Sequence, residues 1–367
     1  MQFSIPQPTL AAALQTLIQV VQKKSVLQIL NYLRMETNGD TLTLETTNLN
    51  TSIRVTNTVS NAEPGTLILE ARLFHDVVTS ITKTATLHFH TEEDQLTLAY
   101  ESETIQFTTM DANDFRQFPY EIETPSFAIP GSDLLRLTSK SAFAVAKDAT
   151  RPNLNGVLLE SDGTTITLTA TDGYRLGSAS IPCNAPETNS ILQPSTLQIV
   201  NQLKADSVTM AFSPDRVQMD VGNVRINAKL IEGPYPRYRN VVPQQFERTA
   251  TIATKKLLTS VKSVTKMAKE VKGYIRLDFD YNTVRLGPNQ GTLVASVPVE
   301  ASHGDFPFTI GFDGKYLQEL LAKVDTPTMQ ICMNKNLGAV VFKPVQPGFQ
   351  VDTTSMYLLL MPVHLEY

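Results

Sequence analysis

The sequence predicts an α+β fold in which one plan of antiparallel sheets and paired helices is written three times. Three stretches carry this reading: "FSIPQPTLAAAL" from Phe3, "FAIPGSDLLRL" from Phe127 and "ATIATKKLLTSV" from Ala250. In each, a short strand runs through a Pro or polar cap into an apolar-periodic helix. Ile5, Ile129 and Ile252 correspond, as do Leu10, Leu134 and Leu257, with spacings of 124 and then 123 residues in both sets. Elsewhere apolar and polar residues alternate at period two, as in "TLTLETTNLNTSIRV" (Thr41 to Val55), "ATLHFHTEEDQLTLAY" and "VTMAFSPDRVQMDV". That is the pattern of strands with one buried face.

A second helix recurs in each third: "LEARLFHDVVTSI" after Ile68, "LQPSTLQIVNQL" after Ile191 and "GFDGKYLQELLAKV" after Ile310. Each third therefore holds two helices and roughly eight strands. Pro and polar residues break the periodicity in "FPYEIETPSF" and "VPQQFERTAT". The expected domains are residues 1–122, 123–246 and 247–367. Edge strands at the two chain ends are left to be blunted or covered by another subunit.

A length of 367 residues suits two or three domains, and 42% hydrophobic with 18% charged residues is ordinary globular composition. No apolar run reaches the roughly 18 residues of a membrane span. The opening "MQFSIPQPTL" lacks a secretory pattern. Cys183 and Cys332 lie in separate thirds, which suits a reducing, cytoplasmic setting.

The net charge of −5 disguises a segregated distribution. Turning the third-repeat helix by 100° per residue puts Lys255, Lys262, Lys266 and Lys269 on one stripe, with Leu257, Val261, Val264, Ala268 and Val271 opposite. The matching helix of the second repeat aligns Arg136, Lys140, Lys147 and Arg151, with Phe143 intruding; the first repeat offers only Lys23 and Lys24. Residues 8–25, 132–151 and 254–272 carry +2, +2 and +5, so the rest of the chain carries −14. A single lysine stripe is ordinarily a solvated helix face. Three equivalent stripes arranged about an axis would line a channel that attracts phosphates without reading bases. No aromatic platform interleaves with these lysines, against a stacking single-strand binder.

Motifs for catalysis are missing: there is no P-loop, dinucleotide fingerprint, zincin or Gly-x-Ser-x-Gly pattern. His88, His90 and Glu92 share a strand face, as do Asp278 and Asp280. Polar strand faces explain both sets better than a metal trio or paired carboxylates. A hydrolase with a metal site at His88 and His90 remains the reading from another class. The expectation is a chain that is not an enzyme and needs no cofactor or metal.

One stretch asks for a site. In "TITLTATDGYRLGSASI" (Thr165 to Ile181) a strand meets the tight-turn signal Asp172-Gly173, and then Tyr174-Arg175-Leu176, residues that a plain hairpin would not need. Together with "RPNLNGVLLE", "EGPYPRYRNVVP", "IGFDGKYLQELL" and "YLLLMPVHL", this stretch resembles the bacterial DNA polymerase III beta subunit, the sliding clamp family. The resemblance covers the whole chain. It implies a DNA clamp fold of three similar domains in a head-to-tail homodimeric ring that encircles duplex DNA. Such a ring raises polymerase processivity by tethering. The implied partners are double-stranded DNA, a second copy of the chain, the replicative polymerase alpha subunit, an ATP-driven clamp loader and other clamp-motif proteins such as repair polymerases, mismatch-repair proteins and ligase.

Carried over motif by motif, the partner-peptide pocket is Leu154, Thr171, Gly173, Tyr174, Arg175, Leu176, Pro236, Asn240, Val241, Tyr316, Met361, Pro362, Val363 and His364. Leu154, Leu176, Val241 and Pro362 are expected to form its apolar hole, and Tyr174, Arg175 and Met361 its rim. DNA-facing residues are expected at Lys24, Arg72, Arg136, Lys140, Lys147, Arg151, Lys255, Lys262, Lys266 and Lys269. Gln28 stands where the family usually has Pro, and Asn240 and His364 where Arg is frequent. Gln28 implies a looser turn in its segment, and Asn240 and His364 imply an altered peptide preference, with a mild pH dependence from His364. Asn240 and the weakly basic helix of the first repeat keep open an alternative, a clamp-like paralogue acting mainly as a partner-binding scaffold.

Overall fold

The structure is a computed structural model of the chain. It describes residues 1–22, 27–82, 85–112, 115, 121–148, 150–268, 273–335, 338–346, 350–351 and 356–365. Among these residues it contains six α-helices and 26 strands. The helices are α1 (Gln7–Leu17), α2 (Ala71–Ser80), α3 (Gly131–Ser141), α4 (Pro194–Gln202), α5 (Thr254–Met267) and α6 (Gly314–Leu321). They fall where the repeated sequence places them. Ile5, Ile129, Ile252, Leu10, Leu134 and Leu257 are each at most 1% exposed, so the repeated positions are repeated core positions. None of the described helices is long and apolar enough to cross a membrane.

Two compact units emerge, residues 1–132 with 195–230 and residues 133–194 with 231–367. In the first, a five-stranded sheet runs Ser60–Glu63, Gln2–Pro6, Thr86–Glu92, Gln95–Tyr100, Glu103–Thr108. An eight-stranded sheet runs Phe127–Pro130, Ser207–Phe212, Arg216–Val221, Val224–Lys229, Thr51–Thr58, Thr41–Thr47, Tyr32–Asn38, Gly65–Glu70. Phe3 stacks on Phe89 at 4.7 Å, and Phe74 of α2 meets Phe107 edge-on at 5.2 Å, a T-shaped geometry that aromatic quadrupoles favour.

The second unit is one antiparallel sheet of 13 strands. Its path is Thr188–Leu192, Val157–Ser161, Thr165–Thr171, Arg175–Pro182, Met356–Leu360, Val340–Gln346, Thr328–Met333, Arg248–Ala253, Ala295–His303, Thr283–Pro288, Tyr274–Phe279, Phe308–Asp313, with Gln350–Val351 paired to Val340–Gln346.

Two units rather than three consecutive segments have a plain cause. The central repeat shares a sheet with each neighbour. Its later strand Val224–Lys229 pairs with Thr51–Thr58 of the first repeat, Arg225 opposite Arg54. Its earlier strand Arg175–Pro182 pairs with Met356–Leu360 of the third, Leu176 opposite Leu359. Sheet hydrogen bonding thus divides the central repeat between its neighbours.

Local chemistry sets the helix start nearest the site. Asp313 caps α6, its Oδ1 accepting from the backbone N–H of Lys315 at 2.9 Å and of Tyr316 at 3.0 Å. Asp313→Ala is expected to lower stability by about 1 kcal/mol, read as a reduced urea midpoint with unchanged slope. An unchanged midpoint would show that the cap contributes nothing.

Candidate functional site

The turn after strand Thr165–Thr171 is fixed by its own side chains. Oδ1 of Asp172 accepts from the N–H groups of Tyr174 and Arg175, each at 2.9 Å. The Thr171 hydroxyl accepts from Gly173 N–H at 3.1 Å and donates to the Arg175 carbonyl at 2.7 Å. Gly173 has φ +91°, in the region that glycine enters without a Cβ penalty. The turn presents Tyr174, 62% exposed. Two bonds tie it to distant chain: Met361 N–H donates to the Tyr174 carbonyl at 2.7 Å, and Thr171 N–H to the Tyr235 hydroxyl at 3.0 Å. Burial pushes the Tyr235 phenol above its usual range, so it stays protonated at neutral pH.

Beside the turn lies an apolar floor. Leu176 packs with Leu158, Ile191, Tyr238, Ala339, Val341 and Leu359, and Tyr235, Val242 and Met361 partly cover this cluster. One wall is the short turn Tyr238–Val241. It is held down by Glu160, which accepts from the Tyr238 hydroxyl at 2.6 Å and from both terminal nitrogens of Arg239 at 2.7 and 3.0 Å. Val241 is 57% exposed at the end of that wall. Pro236 and Asn240 are exposed along it, Pro362 and Val363 are half-buried, and His364 is exposed. Val363 N–H is anchored on the Gly311 carbonyl at 2.9 Å. A fixed turn, an apolar floor and exposed apolar side chains on both flanks suit a short peptide with apolar anchors.

Some expected residues do other work. Arg175 is not on the rim but 6% exposed. Successive strand residues face opposite ways, so Leu176 on the apolar floor sends Arg175 to the other face. There its Nε donates to Asp172 Oδ2 at 3.0 Å and its Nη1 to Glu319. Its guanidinium lies 4.2 Å from the Tyr316 ring centroid and 5.6 Å from that of Phe143. Tyr316 therefore supports Arg175 instead of lining the floor. Leu154 is buried in its own turn, its carbonyl accepting from Ala146 N–H at 3.0 Å.

Sequence reasoning missed Tyr235, Tyr238, Ala339, Val341 and Leu359. The two tyrosines stood in the quoted "EGPYPRYRNVVP", and alternation in "YLLLMP" places Leu359 with Met361. Ala339 and Val341 gave no local signal.

The basic faces are partly as expected. Lys255, Lys262 and Lys266 are exposed on α5, with Leu257, Val261 and Val264 buried opposite. Lys147, Arg136 and Arg151 are exposed. Arg136 lies 3.8 Å from Asp133, and Arg151 donates to Asp148 at 2.9 Å and to the Asp172 carbonyl at 3.2 Å. Lys140 is a correction: it is 6% exposed, and its ammonium is bound by the Lys323 carbonyl and the Asp325 carboxylate. Its place at the last turn of α3 turns it inward, so its charge is neutralised within the chain. Arg72 is half-buried and donates to the Val21 carbonyl. Lys23, Lys24, Lys269 and Val271 lie outside the described residues. His88 is bound through Nδ1 to the Ser4 hydroxyl at 2.8 Å, and His90 lies 3.9 Å from Glu92. Among the described residues no three His, Cys, Asp or Glu side chains are grouped to hold a metal ion.

Family models match the chain in three consecutive stretches: the DNA polymerase III beta subunit N-terminal domain over residues 1–119, its central domain over 128–237 and its C-terminal domain over 239–358. The beta sliding clamp of Pseudomonas aeruginosa is 25% identical over 376 residues, covering 100% of both chains. That of Caulobacter vibrioides is 24% identical over 364 residues, covering 95% of this chain and 97% of the relative. Among solved structures, the Pseudomonas aeruginosa sliding clamp bound to griselimycin has a TM-score of 0.92 at 24% identity, and the Bacillus subtilis clamp 0.92 at 20%, each covering 100% of both chains. With three clamp domains of antiparallel sheet and paired helices matched in order, the chain belongs to the bacterial DNA polymerase III beta subunit family, the sliding clamps, non-catalytic processivity factors of a DNA polymerase.

Proposed function

We propose that two copies of this chain close head to tail into a ring on duplex DNA, in the cytoplasm, with domains meeting near residues 122 and 246. The ring slides because it holds phosphates without reading bases. It tethers the replicative polymerase alpha subunit, and in turn a clamp loader, repair polymerases, mismatch-repair proteins and ligase, through peptides docked between Tyr174, Leu176, Val241 and Met361. Tethering raises the local concentration of polymerase at the primer end without new chemistry.

The observation that carries ring closure is a pairing made twice and left open a third time. Leu44, Leu168 and Leu286 are equivalent in the three repeats and sit opposite Val55, Ala179 and Ala295. Val55 then pairs with Val224 of the second repeat, and Ala179 with Met356 of the third. Val224 and Glu103 are likewise equivalent, each the first paired residue after its hairpin turn, opposite Val221 and Tyr100. Among the described strands, Glu103–Thr108 is an edge strand of its sheet, with Gln95–Tyr100 as its one neighbour. The remaining pairing would set Ala295 of one copy against Glu103 of the other, and Val294 against Thr104. Val294 is 49% exposed. Such unpaired edges otherwise invite aggregation.

The test combines closure with topology. Thr104→Cys with Val294→Cys, loaded on nicked circular DNA with a clamp loader and ATP and then oxidised, is expected to form a linked dimer. It should stay on the circle in high salt and leave only after the DNA is cut. Retention that ignores linearisation, or failure to cross-link while the native mass is that of a monomer, would refute the ring. Loading without retention, in a protein that still binds partner peptides, would favour the scaffold reading.

A further inference from the structure

We propose that Glu319 is a positioning residue for peptide docking, acting through Arg175 and Asp172 on the turn that carries Gly173 and Tyr174. The inference rests on the docking site built on Leu176 and Met361. Glu319 stands on α6 and meets Arg175, which faces the side of the strand opposite Leu176. Its carboxylate accepts from Arg175 Nη1. Arg175 Nε in turn donates to Asp172 Oδ2 at 3.0 Å, while Asp172 Oδ1 holds Tyr174 N–H at 2.9 Å and the Tyr174 carbonyl holds Met361 N–H at 2.7 Å. An unbroken series of charged and backbone hydrogen bonds therefore runs from α6 to both sides of the docking site.

Two features set Glu319 apart from a surface carboxylate. First, it lies in the last turn of α6 (Gly314–Leu321), where an anion is disfavoured by the helix dipole. Second, Tyr316 is three residues before it and so shares its helix face, and the Tyr316 ring stacks on the same guanidinium at 4.2 Å. Ring and carboxylate together fix Arg175 from one side, with Phe143 at 5.6 Å from another. Lys323, another cation at this place, is 6.0 Å from the Phe143 ring. Without Glu319, Asp172 is the one anionic partner left to Arg175 among the described residues, and Nη1 loses its acceptor. The Asp172 carboxylate that shapes the turn then loses its fixed counterpart. Docking sites lose affinity when the groups that support the contacting residues are loosened.

The experiment titrates griselimycin, the ligand of the solved Pseudomonas aeruginosa clamp, into the full-length protein and into Glu319→Ala, Glu319→Gln and Met361→Ala. The native mass of each protein, which does not depend on a loader, is measured in parallel. Glu319→Ala is expected to weaken griselimycin roughly threefold to thirtyfold, the range for residues that act through others, with the native mass unchanged. Glu319→Gln keeps an oxygen for Arg175 Nη1 and is expected to recover most of the loss. Unchanged affinity in Glu319→Ala, or a Gln variant as weak as the Ala variant, overturns the inference. A changed native mass together with lost griselimycin binding would mark a general structural defect and overturns it too. If Met361→Ala binds like the unmodified protein, the docking reading itself has failed, and the inference falls with it.

Discussion

Arg175→Ala is expected to destabilise the second unit by about 2–4 kcal/mol and to abolish peptide docking. The residue is 6% exposed, bonded to Asp172 and Glu319 and stacked between Tyr316 and Phe143. Truncating one member of a buried ion pair leaves the other charges without compensation, a loss of about 3–5 kcal/mol in enclosed sites. The Glu319 side chain is 37% exposed and water recovers part of that loss, whereas Asp172 at 11% cannot rehydrate without opening the turn. A urea titration followed by circular dichroism reads the stability, and titration with a short peptide bearing apolar anchors reads the site. A shift below about 0.5 kcal/mol, the size of an ordinary surface substitution, would show that the guanidinium is not a structural anchor. Arg175→Lys should rescue little, because an ammonium offers neither the planar fork nor the stacking surface.

Joint replacement of Lys255, Lys262 and Lys266 by alanine is the second large effect. All three are exposed on α5, and Leu257, Val261 and Val264 keep the helix seated from the opposite side. Stability should therefore change little. Removing one lysine–phosphate interaction lowers the magnitude of the log–log salt slope of binding by about 0.9. The slope of the triple variant should thus fall by close to 3 per subunit if every lysine meets a phosphate. The drop should be the same on any DNA sequence, since no base is read. Binding to a short duplex between about 50 and about 200 mM salt, the range in which such interactions show, reads the slope. An unchanged slope would place the DNA elsewhere and remove α5 from the interface. Lys140→Ala makes the contrasting control. Its ammonium is committed to Asp325 and the Lys323 carbonyl, so it should lower stability and leave the salt slope alone.

Much of the site was legible in the sequence because it is local. The Asp172-Gly173 turn announces itself, since an Asx side chain and a glycine at positive φ are what such a turn needs. Met361 and Leu176 follow from motif and alternation. The reversed roles of Arg175 and Lys140 were not legible. Period two says that Arg175 and Leu176 face opposite sides, but not which side is covered by α6, whose Glu319 lies 144 residues further on. Helical periodicity placed Lys140 on a basic stripe, and its partner Asp325, 185 residues away, drew it inward.

By itself the sequence determined the threefold plan, the helix and strand classes and the positions of the repeated core residues. Each of these rests on short-range periodicity and capping, which act within a few residues. Only the tertiary structure decided that the central repeat is shared between two units, and which charges are neutralised inside the chain. Both outcomes depend on pairings between segments far apart in sequence. Sheet edges from different repeats satisfy one another's backbone hydrogen bonds, as Arg54 does opposite Arg225 and Leu176 opposite Leu359, and no local pattern records which partner an edge will meet.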